Sequence, residues 1–197
     1  MLELIRDMTC PGKPLKYKAK QHAYRFTIDN KSIYEAIMTF VNDRRKSTHL
    51  HFPYSIPDTY LSHFVRGYSD GDGNIGVKYG RRTLNDGTLG TYYGLRYRVL
   101  GTRQFLEGLE FNLRRLGGAP NQVHPHKKNP ENVYYIEYGF SAAVRVLDFL
   151  YQGATIMLPR KYQVYQRITH SDSNELATAY RTREGCYNMH SYAQVSA

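Results

Sequence analysis

The sequence predicts an α+β fold. Strand-like pairs alternate with amphipathic helices along most of the chain. One strand–turn–helix segment occurs twice, and an acidic, glycine-rich stretch ends one helix and opens a strand at once.

Taken in order, residues 2–8 read as the end of a helix. Residues 15–20 and 23–28 read as strands about a turn at Gln21-His22. Ile33, Ile37, Phe40 and Val41 recur at helical spacing, which predicts a helix over 31–42. The segment HFPYSIPDTY (51–60) holds two prolines and reads as a linker. A helical pattern over 58–69 stops in SDGDGN, where glycines and aspartates crowd together. Strands 74–82 and 91–99 flank a turn at Asn85-Asp86-Gly87. Phe105, Leu109, Leu113 and Leu116 mark a helix over 103–116, stopped by Gly117-Gly118. Strands 121–127 and 133–138 and helices 141–151 and 160–168 follow. Beyond about 170 the chain is polar and weakly periodic.

The repeat matches AYRFTIDNKSIYEAIMTFV (23–41) with VYYIEYGFSAAVRVLDFLY (133–151) at a constant offset of 110 residues. A basic pair follows each copy, Arg45-Lys46 and Arg160-Lys161. The expected organisation is a partial first repeat over 1–57, a complete repeat over 58–168 and a tail over 169–197.

Among the 197 residues, 27 Lys plus Arg stand against 17 Asp plus Glu, a net charge of +10. That excess points to a polyanionic partner. No run of about 18 uncharged apolar residues predicts a membrane helix. Glu3, Arg6 and Asp7 interrupt the N-terminal apolar run, which argues against a secretory signal. Cys10 and Cys186 make neither a disulfide framework nor a CxxC metal pair, so an intracellular, reducing compartment is expected.

In FVRGYSDGDGNIG (64–76), Gly67 lies inside a helix at a cost of about 1 kcal/mol against Ala. Its missing Cβ suits a close helix–helix approach. Asp72 stands at a helix C-terminus, where the dipole disfavours a carboxylate unless a cation compensates. A divalent cation with oxygen ligands, Mg²⁺ above all, meets that need. The simpler alternative is a turn. Arg81 at the twelfth position from Asp70 argues against an EF-hand.

Alternate strand residues share a face. Arg96 and Arg98 face away from Leu95, Tyr97 and Val99, and Asn74, Lys78 and Arg82 face away from Ile75, Val77 and Tyr79. Lys16, Lys18 and Lys20 repeat this period in the first copy, and His126 and Lys128 extend it in the second. Such a ribbon fits the major groove of double-stranded DNA. Solvated amphipathic strands are the alternative.

VRGYSDGDG (65–73) resembles the LAGLIDADG motif of homing endonucleases, with Gly67, Asp70, Asp72 and Gly73 in matching places. The flanking order matches too, through GT-x-x-FLE (Gly101 to Glu107) and L-x-RK-Y (Leu158 to Tyr162). The resemblance implies αββαββα repeats whose motif helices pack together, here through Val65, Gly67 and Tyr68. It implies sheets that saddle DNA, and Asp72 as the catalytic metal ligand. Lys161, or in second place Arg160, would support the transition state, with Lys46 as counterpart in the first copy and Gln104 as a weaker polar candidate. The implied activity is site-specific, metal-dependent DNA cleavage; the alternative is a non-cleaving DNA binder or an intron RNA maturase. Only one motif is present. The chain is then expected to be a fragment or split half of such an enzyme, a dimer, or a decayed copy, and a paired site needs a homodimer or a separate chain that supplies the other motif.

Overall fold

The computed structural model describes residues 1–40, 49–172 and 174–176, and its elements follow the local signals closely. The chain divides into a first unit within Met1–Thr39 and a second that begins at Phe40.

The first unit contains α1 (Leu2–Thr9), β1 (Lys16–Lys18), β2 (Ala23–Arg25) and α2 (Lys31–Phe40). β1 and β2 pair antiparallel with Tyr17 opposite Tyr24, their rings 5.1 Å apart. His22 makes the turn between them at φ 44°. The α2 N-terminus is capped by Asn30, whose Oδ1 accepts from the Ile33 N–H at 3.1 Å. No residue of α1, β1 or β2 is buried. Lys16 and Lys18 lie on β1, but Lys20 falls in a 3₁₀ turn, Ala19–Gln21, and leaves the strand period.

The second unit runs α3 (Asp58–Asp72), β3 (Gly73–Thr83), β4 (Leu89–Gly101), α4 (Arg103–Arg115), β5 (His124–His126), β6 (Asn129–Gly139), α5 (Phe140–Tyr151) and α6 (Pro159–His170). This is the αββαββα order with a further helix. The sheet order is β3-β4-β6-β5, with antiparallel neighbours throughout. Ile75, Val77, Leu95, Tyr97, Val99, Ile136 and Tyr138 are buried on one face of it. Leu61 and Val65 of α3, Leu106 and Leu109 of α4, Leu147 and Leu150 of α5 and Val164 of α6 complete that core. Fully burying one such side chain contributes about 1.5–3 kcal/mol, so the core, not intrinsic helix propensity, holds the helices. Thr102 caps α4, its Oγ1 accepting from the Phe105 N–H at 3.2 Å.

Two local expectations change. The 51–60 segment is no free linker: Phe52 is 4 % exposed and packs in the core against Phe64 and Phe105. Gly108 makes room for it, since a Cβ there would stand 2.3 Å from the Phe52 Cβ. And α3 continues three residues past the expected stop, through Gly71 to Asp72. No helix among the described residues is long and apolar enough to cross a membrane.

Candidate functional site

The α3 C-terminus is built by contacts from far along the chain. The last turn of a helix leaves carbonyls without partners. Here Lys161, 8 % exposed, fills that place: its Nζ donates to the carbonyls of Ser69 at 2.6 Å, Asp70 at 2.9 Å and Gly73 at 2.5 Å. An ammonium has three N–H groups, and all three are engaged. Burial, then the neighbouring Arg160 charge, push this group down to about 8, against the pull of Asp70 and Asp72. Lys161 therefore stands beside the motif, but its ammonium is directed into the helix end.

Gly73 permits the join of α3 and β3. A Cβ there would lie 2.5 Å from the Ser69 carbonyl oxygen, a backbone atom with little room to move. Asp70 turns inward. Its Oδ2 accepts from the Leu158 N–H at 2.9 Å, and burial raises its pKa against that bond and the nearby Lys161 and Arg66 charges. Arg66 ties α3 to the last turn of α5 and to the chain after it, donating to the carbonyls of Leu150 at 2.7 Å and Ile156 at 2.8 Å. Asp72 is left exposed at the tip of α3.

The outer side of α3 is open. Gly67 and Gly71 are exposed, and a Cβ on either would meet nothing within 4 Å. They line a cavity of about 630 Å³ with Leu50, Phe64, Tyr68, Phe105 and Asp72. Tyr68 stacks on Phe105 at 4.1 Å and donates its hydroxyl to the Leu100 carbonyl at 2.9 Å. Val65 does not share this side: it is 1 % exposed and packs inward, with no surface for a partner helix.

On the sheet, the face away from the core gathers four of the expected residues. Asn74 pairs across from Arg98, and the Arg96 Nη2 donates to the Asn74 Oδ1 at 3.0 Å. Glu137 lies directly across from Arg98 on β6. Its Oε2 accepts from the Arg98 Nε at 2.7 Å and its Oε1 from the Lys78 Nζ at 2.8 Å. Burial raises the Glu137 pKa, but these two hydrogen bonds outweigh it and leave the group below its ordinary value. Arg98 also sits 4.6 Å over the Tyr135 ring, against which His124 packs at 5.5 Å.

The other expected residues are placed less tightly. His126 is half-buried at a register shift on β5, and Lys128 is exposed in the β5–β6 turn. Arg82 pairs with Gly90 through the backbone, while its side chain, like Lys46, lies outside the described residues. Gln104 lies in the first turn of α4. Sequence reasoning missed Glu137. The signal was there: it is the one acidic residue within the expected strand 133–138, on the face that Val133 and Tyr135 share.

Solved structures that this chain resembles include homing endonucleases. The I-SmaMI LAGLIDADG homing endonuclease bound to cleaved DNA is 14 % identical, over 83 % of this chain and 54 % of that one, with a TM-score of 0.44. The group I intron-encoded homing endonuclease I-CeuI complexed with DNA is 11 % identical, over 63 % and 56 %, at 0.42. The archaeal intron-encoded homing endonuclease I-Vdi141I complexed with DNA is 17 % identical, over 64 % and 74 %, at 0.40. No family model and no curated protein matches the chain.

Proposed function

We propose that this protein is a DNA endonuclease of the homing type, in which one chain supplies half of a paired site. The observation that carries the reading is the basic face of the sheet: Asn74, Lys78, Arg96 and Arg98 stand together on it, and its first strand begins at the residue after Asp72. Arg and Asn side chains on a two-stranded ribbon can reach base edges in the major groove, while cations hold the phosphates.

Among the described residues no three His, Cys, Asp or Glu side chains stand together as a metal cluster. Mg²⁺ is commonly held by one or two carboxylates plus substrate phosphates. The exposed Asp72 carboxylate fits that donor set as a single ligand, with DNA oxygens and a second copy supplying the others. Held there by Asp72, a divalent ion would supply charge stabilisation at the scissile phosphate and activation of water. The chain's own contribution is position. Lys161 and Gly73 fix the tip of α3, Asp72 projects from it, and the sheet face sets the register on DNA. A second copy placed along the open Gly67–Gly71 side of α3 brings a second Asp72 to the other strand.

Plasmid cleavage with Mg²⁺ on DNA from the gene's own flanks tests the reading, with Asp72→Asn as the decisive variant. It is expected to lose cutting while duplex binding stays intact, because the change removes a charge that repels phosphate. Cutting by Asp72→Asn at the wild-type rate refutes the assignment. Duplex binding by the wild type without cutting under any metal favours the non-cleaving reading, for which the lone motif is the supporting observation.

A further inference from the structure

We propose that Glu137 is a specificity-determining residue, which holds Lys78 and Arg98 against the sheet and turns two phosphate-seeking cations into oriented readers of base edges. This rests on the duplex-DNA reading above.

A carboxylate is out of place on a surface meant for DNA, since it repels phosphate and cancels a neighbouring cation. Yet Glu137 sits in the middle of the basic face with its side chain only 13 % exposed, and both of its oxygens are engaged. The arrangement is built from three strands. Arg98 reaches Glu137 across the β4–β6 pair, with its guanidinium over the Tyr135 ring. Lys78 comes from β3, its stem running over Gly139, where a Cβ would lie 3.2 Å from the Lys78 Cδ. Any side chain at Gly139 would therefore press on that path.

The physical effect is twofold. An unrestrained Lys or Arg contacts phosphate in many orientations and adds affinity without regard to sequence. Glu137 withdraws one unit of charge from that contest. It also fixes the Arg98 plane, and a guanidinium held on one edge presents its remaining N–H groups in a set direction. Non-specific binding is weakened while directional readout is kept, so the ratio of the two rises.

The test uses the purified full chain and Glu137→Gln, which keeps the shape and removes the charge. Binding to a mixed-sequence duplex is measured against salt, and sites are selected from a random duplex library. If the variant recovers about one phosphate contact, its log–log salt slope steepens by about 0.9, and mixed-sequence affinity at about 0.1 M salt rises roughly eightfold. The sites it selects carry less information at one or two positions. Glu137→Asp, which keeps the charge but shortens the reach, is expected to retain the wild-type slope and lose selectivity. An unchanged or weaker mixed-sequence affinity for Glu137→Gln, at an unchanged melting temperature, overturns the proposal. So does unchanged site selection by that variant. A wild-type protein that binds no duplex overturns the DNA reading itself and this role with it.

Discussion

Replacing Lys161 by Met removes the ammonium and keeps a stem of similar length, so it isolates what the cation does for the α3 helix end. The Nζ makes three hydrogen bonds to the Ser69, Asp70 and Gly73 carbonyls. Bonds to a charged group contribute about 1.5–3 kcal/mol each, or roughly 4.5–9 kcal/mol together. Against this stands the burial of the charge. Its pKa falls from 10.5 to about 8, a penalty on the order of 3 kcal/mol. The remainder is about 1.5–6 kcal/mol. For a protein of this size each kcal/mol moves the midpoint by about 2–4 °C, so a central loss of about 3 kcal/mol lowers it by roughly 6–12 °C. Thermal unfolding followed by circular dichroism at pH 7 measures this, and hydrogen exchange in the last turn of α3 localises it. The pH dependence has a definite sign. The folded pKa lies below the unfolded one, so between about pH 8 and 10.5 the unfolded state binds more protons. Wild-type stability relative to Lys161→Met should therefore rise across that window. A Lys161→Met protein that melts with the wild type at pH 7 would refute the cap.

Two glycine substitutions test the two sides of the same helix. Gly73→Ala puts a methyl group 2.5 Å from a backbone oxygen, and thermal unfolding is expected to show a loss of about 1–3 kcal/mol; a wild-type midpoint would mean that the α3–β3 join relaxes freely. Gly67→Ala meets open space in a helix interior, so the isolated chain should gain up to about 1 kcal/mol, while sedimentation shows weaker self-association. Equal dimerisation of this variant and the wild type would move the contact between copies away from α3.

The order of helices and strands in the second unit was legible because each element has its own period. Leu95, Tyr97 and Val99 alternate with Arg96 and Arg98, and the first three are buried while Arg98 stays partly open. The end of α3 was not legible. Gly71 and Asp72 look like helix breakers, and they stay helical in a turn whose carbonyls are met by Lys161 from about 90 residues away. Phe52 lay hidden just ahead of two prolines, because nothing local says that Gly108 leaves a hole for its ring. Asp72 was marked twice, by helix-end electrostatics and by its place in the motif. The Glu137 bridge needed the β3-β4-β6 order, which no single strand encodes. Val65 shows the limit of a linear motif: it is two residues from Gly67, yet it faces the opposite way.

The place where Phe52 enters the core has a consequence for how this chain can be divided. Every buried hydrophobic residue among those described lies between Phe52 and Leu176. Thr102 donates its hydroxyl to the Leu50 carbonyl, so the stitch that anchors the start of α3 begins just before Phe52. A chain that starts at residue 49 keeps the whole of that core and the stitch. Such a piece would make a transferable module: a gene break, a fusion joint or a protease cut ahead of it removes none of the buried hydrophobic residues described around Asp72 and the basic sheet. Recombination could then exchange what precedes the module without unmaking the surface proposed to meet DNA.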